Sequence, residues 1–215
     1  MQDHPSAIVV VGGGPAGLTA SLVLAEAGHA VTLVDPRPDA RPPVGRTTAI
    51  LAPQARLLEE LGAWPGSEAR AELAGLRIIN RPTTGPMTDV LFRAEELGEP
   101  CFGWNVANAA LVEALHAASL GRVETRATTF AGMRRAHGGW EIDLGDGTRL
   151  RAALVVGTDG KRSRVREALR IKARTHDYGQ FANTALFDHD APAGDVSVEV
   201  HKPGGPFTTV PAGPH

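Results

Sequence analysis

Six residues near the start of the chain, Gly12-Gly13-Gly14-Pro15-Ala16-Gly17, form a G-x-G-x-x-G pattern whose residue types suit one task, the holding of a pyrophosphate. Gly12 permits a tight turn, Gly14 lets the main chain approach a phosphate, and Gly17 allows a helix to lie close against the preceding strand. Pro15 fits the first position of that helix. The unpaired amides of the first turn, at Ala16 and Gly17, then lie at the positive end of the helix dipole. Asp35 follows Gly17 by eighteen residues, where a carboxylate at the end of the next strand accepts from ribose hydroxyls. A glycine-rich turn with a surface aspartate is the plainer reading. Strand, helix, second strand and acid all in register favour a dinucleotide site.

A second segment, Gly157-Thr158-Asp159-Gly160-Lys161-Arg162-Ser163-Arg164-Val165-Arg166, sets an aspartate at the carboxyl end of a strand, then a glycine, then Ser163 as an N-cap. Taken alone, Asp159-Gly160 is a turn. The cations Lys161, Arg162, Arg164 and Arg166 suit nucleotide phosphates, and equally the charged start of a helix. Elsewhere the chemistry is sparse. Eight histidines show no His-x-x-x-His or Cys/His spacing, so no metal site is expected. The single cysteine, Cys101, excludes an internal disulfide and any multi-thiolate cluster. Glu59-Glu60 and Glu95-Glu96 read as solvated helix faces. No catalytic acid or base is assigned.

The elements that must position these residues follow from pattern. Residues 7–11 are continuously apolar and mostly β-branched, as in a strand buried on both faces of a parallel sheet. A helix over 15–27 ends at Gly28, and a strand over 30–34 completes a β-α-β unit. The proline- and arginine-rich stretch 36–46 is a loop. Helices are expected from Pro53 to Leu61 and over 106–119, and strands from Leu76 to Asn80 and from Met87 to Arg93. From Arg122 to Val156 the pattern is strand, turn, strand, with Gly138-Gly139 and Gly145-Asp146-Gly147 as hairpin signals. Leu154-Val155-Val156 reads as a further buried strand, and a short helix covers Ser163 to Leu169. After Tyr178, extended segments over 180–187 and 194–201 indicate a sheet-rich second domain.

Composition agrees with a globular chain. Of 215 residues, 42% are hydrophobic and 21% charged, and the 25 glycines and 16 prolines form no repeat, so they serve as turns, caps and loops. A net charge of −2 gives no electrostatic reason to seek nucleic acid. Small molecules are the expected partners, and a reducing cytoplasm the expected compartment. The run Ile8–Val11 is too short for a signal core or a membrane span.

The two motifs together resemble the group A flavin-dependent aromatic hydroxylases, most of all the ubiquinone-biosynthesis polyprenylphenol hydroxylase branch. In that family the first motif binds the ADP half of FAD, and a downstream Asp-Gly-x-x-Ser-x-Val/Leu-Arg motif binds flavin. Asp159, Gly160, Ser163, Val165 and Arg166 match the latter, with Thr158 where Ala or Cys is usual. Gly45-Arg46-Thr47-Thr48-Ala49-Ile50 resembles the family's arginine segment, which makes Arg46 a candidate FAD contact. Asn108, within Phe102–Leu111, falls where the family places Arg, Gln or Asn near flavin; Ala109 departs from an arginine common in the ubiquinone branch.

The resemblance implies an α/β fold: a Rossmann-like FAD-binding domain with a parallel sheet and a β-meander insertion over residues 1–175. Residues 76–100 would lend strands to a β-sheet-rich substrate domain beginning at 176–215. It implies a monooxygenase in which NAD(P)H reduces FAD and O₂ forms a flavin hydroperoxide that hydroxylates a phenol or quinone precursor. The partner is then a small aromatic substrate, with a lipophilic one and peripheral membrane contact both compatible. The family's later Gly-Asp-Ala-x-His motif does not occur here, so the chain reads as stopping before the third cofactor segment. An FAD- or ADP-binding module without turnover, and a related flavin-dependent reductase or halogenase, are the alternatives. The Trp-x-Trp-x-Ile-Pro segment of such halogenases is absent.

Overall fold

The computed structural model describes residues 8–40, 42–43, 45–191 and 194–213. In chain order the elements begin with strand β1 (Ile8–Val11), helix α1 (Pro15–Glu26), strands β2 (Val31–Val34) and β3 (Thr47–Leu51), and helix α2 (Ala52–Glu60). Strands β4 (Arg70–Leu73), β5 (Gly75–Asn80), β6 (Thr88–Arg93) and β7 (Gly103–Ala107) precede helix α3 (Asn108–Ser119). Then come β8 (Glu124–Arg126), β9 (Phe130–Ala136), β10 (Gly139–Leu144), β11 (Arg149–Ala152), β12 (Leu154–Gly157), helix α4 (Arg164–Ala168), β13 (Val196–His201) and β14 (Phe207–Thr209). They divide into two compact units: one holds residues 1–41, 61–63 and 112–182, the other 42–60, 64–111 and 183–215.

The first unit is built on a parallel sheet of order β12-β1-β2-β8. Its central strand β1 is buried along its whole length, as its unbroken Ile-Val-Val-Val run requires of a strand with neighbours on both edges. Val11 lies opposite both Val34 and Gly157, so the three strands end level. Gly12, Asp35 and Thr158, the residues that follow, therefore emerge side by side at the carboxyl edge of the sheet. Pro15 opens α1 and Gly14 is its N-cap. The helix closes through a two-bond Schellman arrangement in which Gly28 N–H donates to Ala25 O and His29 N–H to Leu24 O. Gly28 takes the left-handed conformation this needs, with φ +85°. Strands β9, β10 and β11 form an antiparallel meander. Its side chains Phe130, Ile142, Leu144 and Ala152 pack with Val9, Val11, Val34 and Val165 into one buried cluster.

The second unit contains an antiparallel sheet of order β3-β7-β4 and a mixed sheet of order β14-β13-β5-β6 in which β13 and β5 run parallel. Arg77 of β5 and Asp89 of β6, diagonal neighbours in the ladder, form a two-bond ion pair at 2.8 and 2.6 Å. Arg93 Nη1 reaches both carboxylate oxygens of Asp195 at 3.3 and 3.2 Å. Cys101 is 2% exposed, and burial, reinforced by the negative charge of Glu72, pushes its thiol above the ordinary range. We expect a thiol reagent at pH 8 to modify Cys101 roughly a hundredfold more slowly in the folded chain than in denaturant, as followed by absorbance.

Several expectations are corrected. The helix expected over 106–119 starts at Asn108, because Val106 and Ala107 belong to β7, where Val106 pairs with Thr48 on one side and Arg70 on the other. Residues 180–187 form no strand; no ladder partner meets them, and Phe181 is 96% exposed. Strand β12 is not buried: it stands at the sheet's edge among the described residues, with Leu154 47% exposed. Smaller shifts occur at the ends of elements. The helices span Pro15–Glu26, Ala52–Glu60 and Arg164–Ala168, and strand β6 begins at Thr88. Ala7, expected in the first strand, lies outside the described residues. Strands β3, β4, β7 and β14 have no counterpart among the elements expected from the sequence.

Candidate cofactor site

The glycine loop sits at the β1–α1 junction, as its motif demands. Gly12 has φ +107°, and a Cβ there would stand 2.6 Å from the carbonyl oxygen of Thr158. A Cβ on Gly17 would overlap the carbonyl oxygen of Gly12, so only glycine lets α1 start this close to β1. Gly14 differs: its Cβ would meet nothing within 4 Å, and Gly14, Pro15 and Ala16 are all exposed. The backbone is thus bare and accessible where a phosphate must approach. The first-turn amides of Ala16 and Gly17 have no intrahelical acceptors, as in any helix, and Gly14 supplies no side-chain cap to take their place.

Asp35, half-buried at the end of β2, accepts from Gly13 N–H at 2.6 Å through Oδ2 and from Arg37 N–H at 2.7 Å through Oδ1. Its carboxylate thereby ties the glycine loop to the second strand, while each oxygen keeps a further lone-pair direction for a hydroxyl. Gly13 must be small for this approach, since a Cβ would lie 3.0 Å from the Asp35 Cβ.

At the end of β12, Thr158 N–H and Oγ1 both donate to Val11 O at 2.8 Å, and Oγ1 also lies 3.0 Å from Gly12 O. Asp159 is occupied in shaping its own loop. Oδ1 accepts from Ser163 Oγ at 2.5 Å, and Oδ2 accepts from the amides of Arg164 at 2.6 Å and Val165 at 3.2 Å. Ser163 Oγ in turn accepts from Arg166 N–H at 3.0 Å, which makes it the N-cap that the sequence indicates. Gly160 turns the chain with φ +81°.

Eight of the ten candidate residues, Gly12, Gly14, Pro15, Ala16, Gly17, Asp35, Asp159 and Gly160, therefore gather at one edge of one sheet. Arg46 and Asn108 belong to the second unit. There they meet each other: Asn108 N–H donates to Arg46 O at 2.9 Å, and Asn108 Oδ1 accepts from Thr48 Oγ1 at 2.6 Å. The Arg46 side chain is exposed. The structural part of Thr158 is not legible in the motif alone; the one signal for it is the departure from the Ala or Cys usual at that place in the resembling family. Among the described residues no group of three or more His, Cys, Asp or Glu stands together as a metal site. None of their helices is long and apolar enough to cross a membrane.

The sheet order, glycine loop and acid-capped second motif are those of a dinucleotide-binding α/β protein. The chain belongs to the FAD binding domain family, whose match covers residues 6–213. It is 34% identical over 220 residues to the ubiquinone hydroxylase UbiL of Rhodospirillum rubrum, covering 97% of this chain and 50% of that protein. It is 31% identical over 220 residues to the 3-demethoxyubiquinol 3-hydroxylase of Escherichia coli, covering 98% of this chain and 56% of the relative. The chain thus spans about half the length of the curated relatives it matches. Among solved structures, a PqsL variant of P. aeruginosa matches with a TM-score of 0.76 at 22% identity, over 97% of this chain and 58% of that one. That likeness bears on the fold.

The residues present fit the family's cofactor. Exposed, side-chain-free Gly14 and the unpaired amides of Ala16 and Gly17 suit a pyrophosphate, and the Asp35 carboxylate stands at the strand end beside them.

Proposed function

We propose that the chain is the FAD-binding part of a monooxygenase that uses NAD(P)H and O₂ to hydroxylate an aromatic ring, a phenol or a quinone precursor. The observation that carries this reading is the level ending of β1, β2 and β12, which brings Gly12–Gly17, Asp35 and Asp159 to one edge, in a chain 34% identical to a ubiquinone hydroxylase. FAD, when bound, supplies the redox and oxygen chemistry. The chain binds and orients. In this reading the amides of Gly14, Ala16 and Gly17 receive the pyrophosphate, Asp35 accepts from ribose hydroxyls, and the Asp159-Gly160 turn borders the flavin. Arg46 and Asn108 are assigned to flavin contact. The exposed cations Lys161, Arg162 and Arg164 offer charge to the phosphates of the reduced nicotinamide.

Residues 1–175 would form the FAD-binding domain. The parallel pairing of Val196–His201 with Gly75–Asn80 supports 76–100 and the chain after 176 sharing a substrate-side sheet. A small aromatic substrate, and a cytoplasmic site of action with peripheral membrane contact where that substrate is lipophilic, follow from this reading.

A purified chain titrated with FAD is expected to quench flavin fluorescence and resolve the oxidised-flavin absorbance bands. FAD at about 100 times its Kd should add about 2.7 kcal/mol of stability, read as a rise in Tm. Absence of both signals would sink the assignment of this chain as a flavoprotein. The residues gathered at the sheet edge, all of which bind or orient, also fit a second reading, a nucleotide-binding module without turnover. FAD uptake without FAD-dependent NAD(P)H oxidation in the presence of phenols would select it.

A further inference from the structure

The peptide that joins Gly12 to Gly13 is held from both sides. Its carbonyl oxygen lies 3.0 Å from Thr158 Oγ1, and its N–H donates to Asp35 Oδ2 at 2.6 Å. The two flanking residues are glycines, so rotation of this plane about ψ of Gly12 and φ of Gly13 meets little steric resistance. Two hydrogen bonds favour the orientation observed. A flip would exchange the places of the N–H and C=O and reverse a peptide dipole one residue before Gly14.

Thr158 is well suited to its half of this hold. Its backbone N–H and its hydroxyl both reach Val11 O at 2.8 Å, which fixes the side chain against the end of β1. The single hydroxyl proton is then shared between Val11 O and Gly12 O as a three-centre bond. Thr158 O also lies 2.6 Å from where a Cβ on Gly12 would be, and Thr158 Oγ1 2.7 Å from where a Cβ on Gly17 would be. One residue of the second motif thus bears on both ends of the first. Alanine, one of the residues usual at this place in the resembling family, has no group that could donate.

We propose that Thr158 is a positioning residue for the cofactor turn: with Asp35 it clamps the Gly12–Gly13 peptide in the single orientation that presents the Gly14 backbone and the α1 amides to a pyrophosphate. The proposal rests on the FAD reading above for its ligand, and on the hydrogen bonds alone for its geometry. Thr158→Val keeps the volume and removes the donor; Thr158→Ser keeps the donor and removes a methyl group.

The test uses the full 215-residue chain and two readouts. In the ligand-free chain, amide exchange at Gly13 is expected to speed about tenfold in Thr158→Val and to return to within about threefold of the unmodified chain in Thr158→Ser. The Kd for FAD, and for ADP, is expected to rise about tenfold in Thr158→Val and to recover in Thr158→Ser. The melting temperature of each variant separates loss of the clamp from loss of the fold. Thr158→Val matching the unmodified chain in both readouts, or Thr158→Ser as impaired as Thr158→Val, overturns the proposal. Should Thr158→Val not fold, Thr158→Ala, which also lacks the donor, decides: Gly13 exchange and an FAD Kd both matching the unmodified chain overturn the proposal, and both raised about tenfold support it. Failure of the unmodified chain to take up FAD counts against the FAD reading instead, while the exchange data still judge the clamp.

Discussion

Gly17→Ala is expected to destabilise the first unit by about 3 kcal/mol, because the added methyl group collides with backbone that no rotamer can move. The carbonyl of Gly12 lies in its place, and Thr158 Oγ1 would be 2.7 Å away. The helix can accept the methyl only by lifting off β1. For a chain of this size that loss lowers Tm by about 6–12 °C. Displacement of the turn by about 1 Å should also weaken FAD binding by on the order of 10²-fold. Thermal denaturation and an FAD titration read the two effects. Gly132→Ala is the matched control: its Cβ would meet nothing within 4 Å, and its φ is not positive, so Tm and FAD affinity should stay near those of the unmodified chain. Equal effects from the two substitutions would refute the close-approach account of Gly17.

Asp159→Ala should cost about 2–3 kcal/mol and unravel the start of α4. Its carboxylate receives the Ser163 hydroxyl and the amides of Arg164 and Val165, and Ser163 so oriented accepts from Arg166. Removing it strands three donors and releases the cap, and Val165 loses its anchor in the buried cluster of the first unit. Asp159→Asn retains one acceptor oxygen and should lose about half as much. Urea denaturation measures both, and amide exchange at Arg164–Arg166 locates the change. Retention of full stability by Asp159→Ala would mean that the cap is replaced by solvent at no cost.

The β-α-β unit and the short capped helix could be read from the chain because their signals are local. A valine run, a glycine turn, Pro15 and Gly28 lie within one another's reach, as do Asp159 and Ser163. The second unit resisted for the opposite reason. Thr47–Leu51 becomes a strand by pairing with Gly103–Ala107, and Arg70–Leu73 by pairing with the other edge of the same strand. Nothing within either window announces a partner so far along the chain. Val106 was misplaced because alanine-rich sequence follows it, and a ladder on both sides outweighs that helical preference. At the site, Asp35 was legible as an acid at a strand end. That it would grip Gly13 depends on the level register of two strands, which only the folded chain displays.

The hydroxyl of Thr158 meets Val11 and Gly12 across 147 and 146 residues of sequence, and this separation bears on the order of assembly. Closing so long a loop carries an entropic cost that the neighbouring meander, with its short turns, does not bear. The nucleotide turn is therefore completed only after the chain through residue 158 has been synthesised and β12 has docked. Until then β1 can pair with β2 on one edge only, and its other edge, which β12 later takes, stands open to association. Cofactor capture must wait for that last strand, so a bound nucleotide would mark a chain whose parallel sheet has already closed.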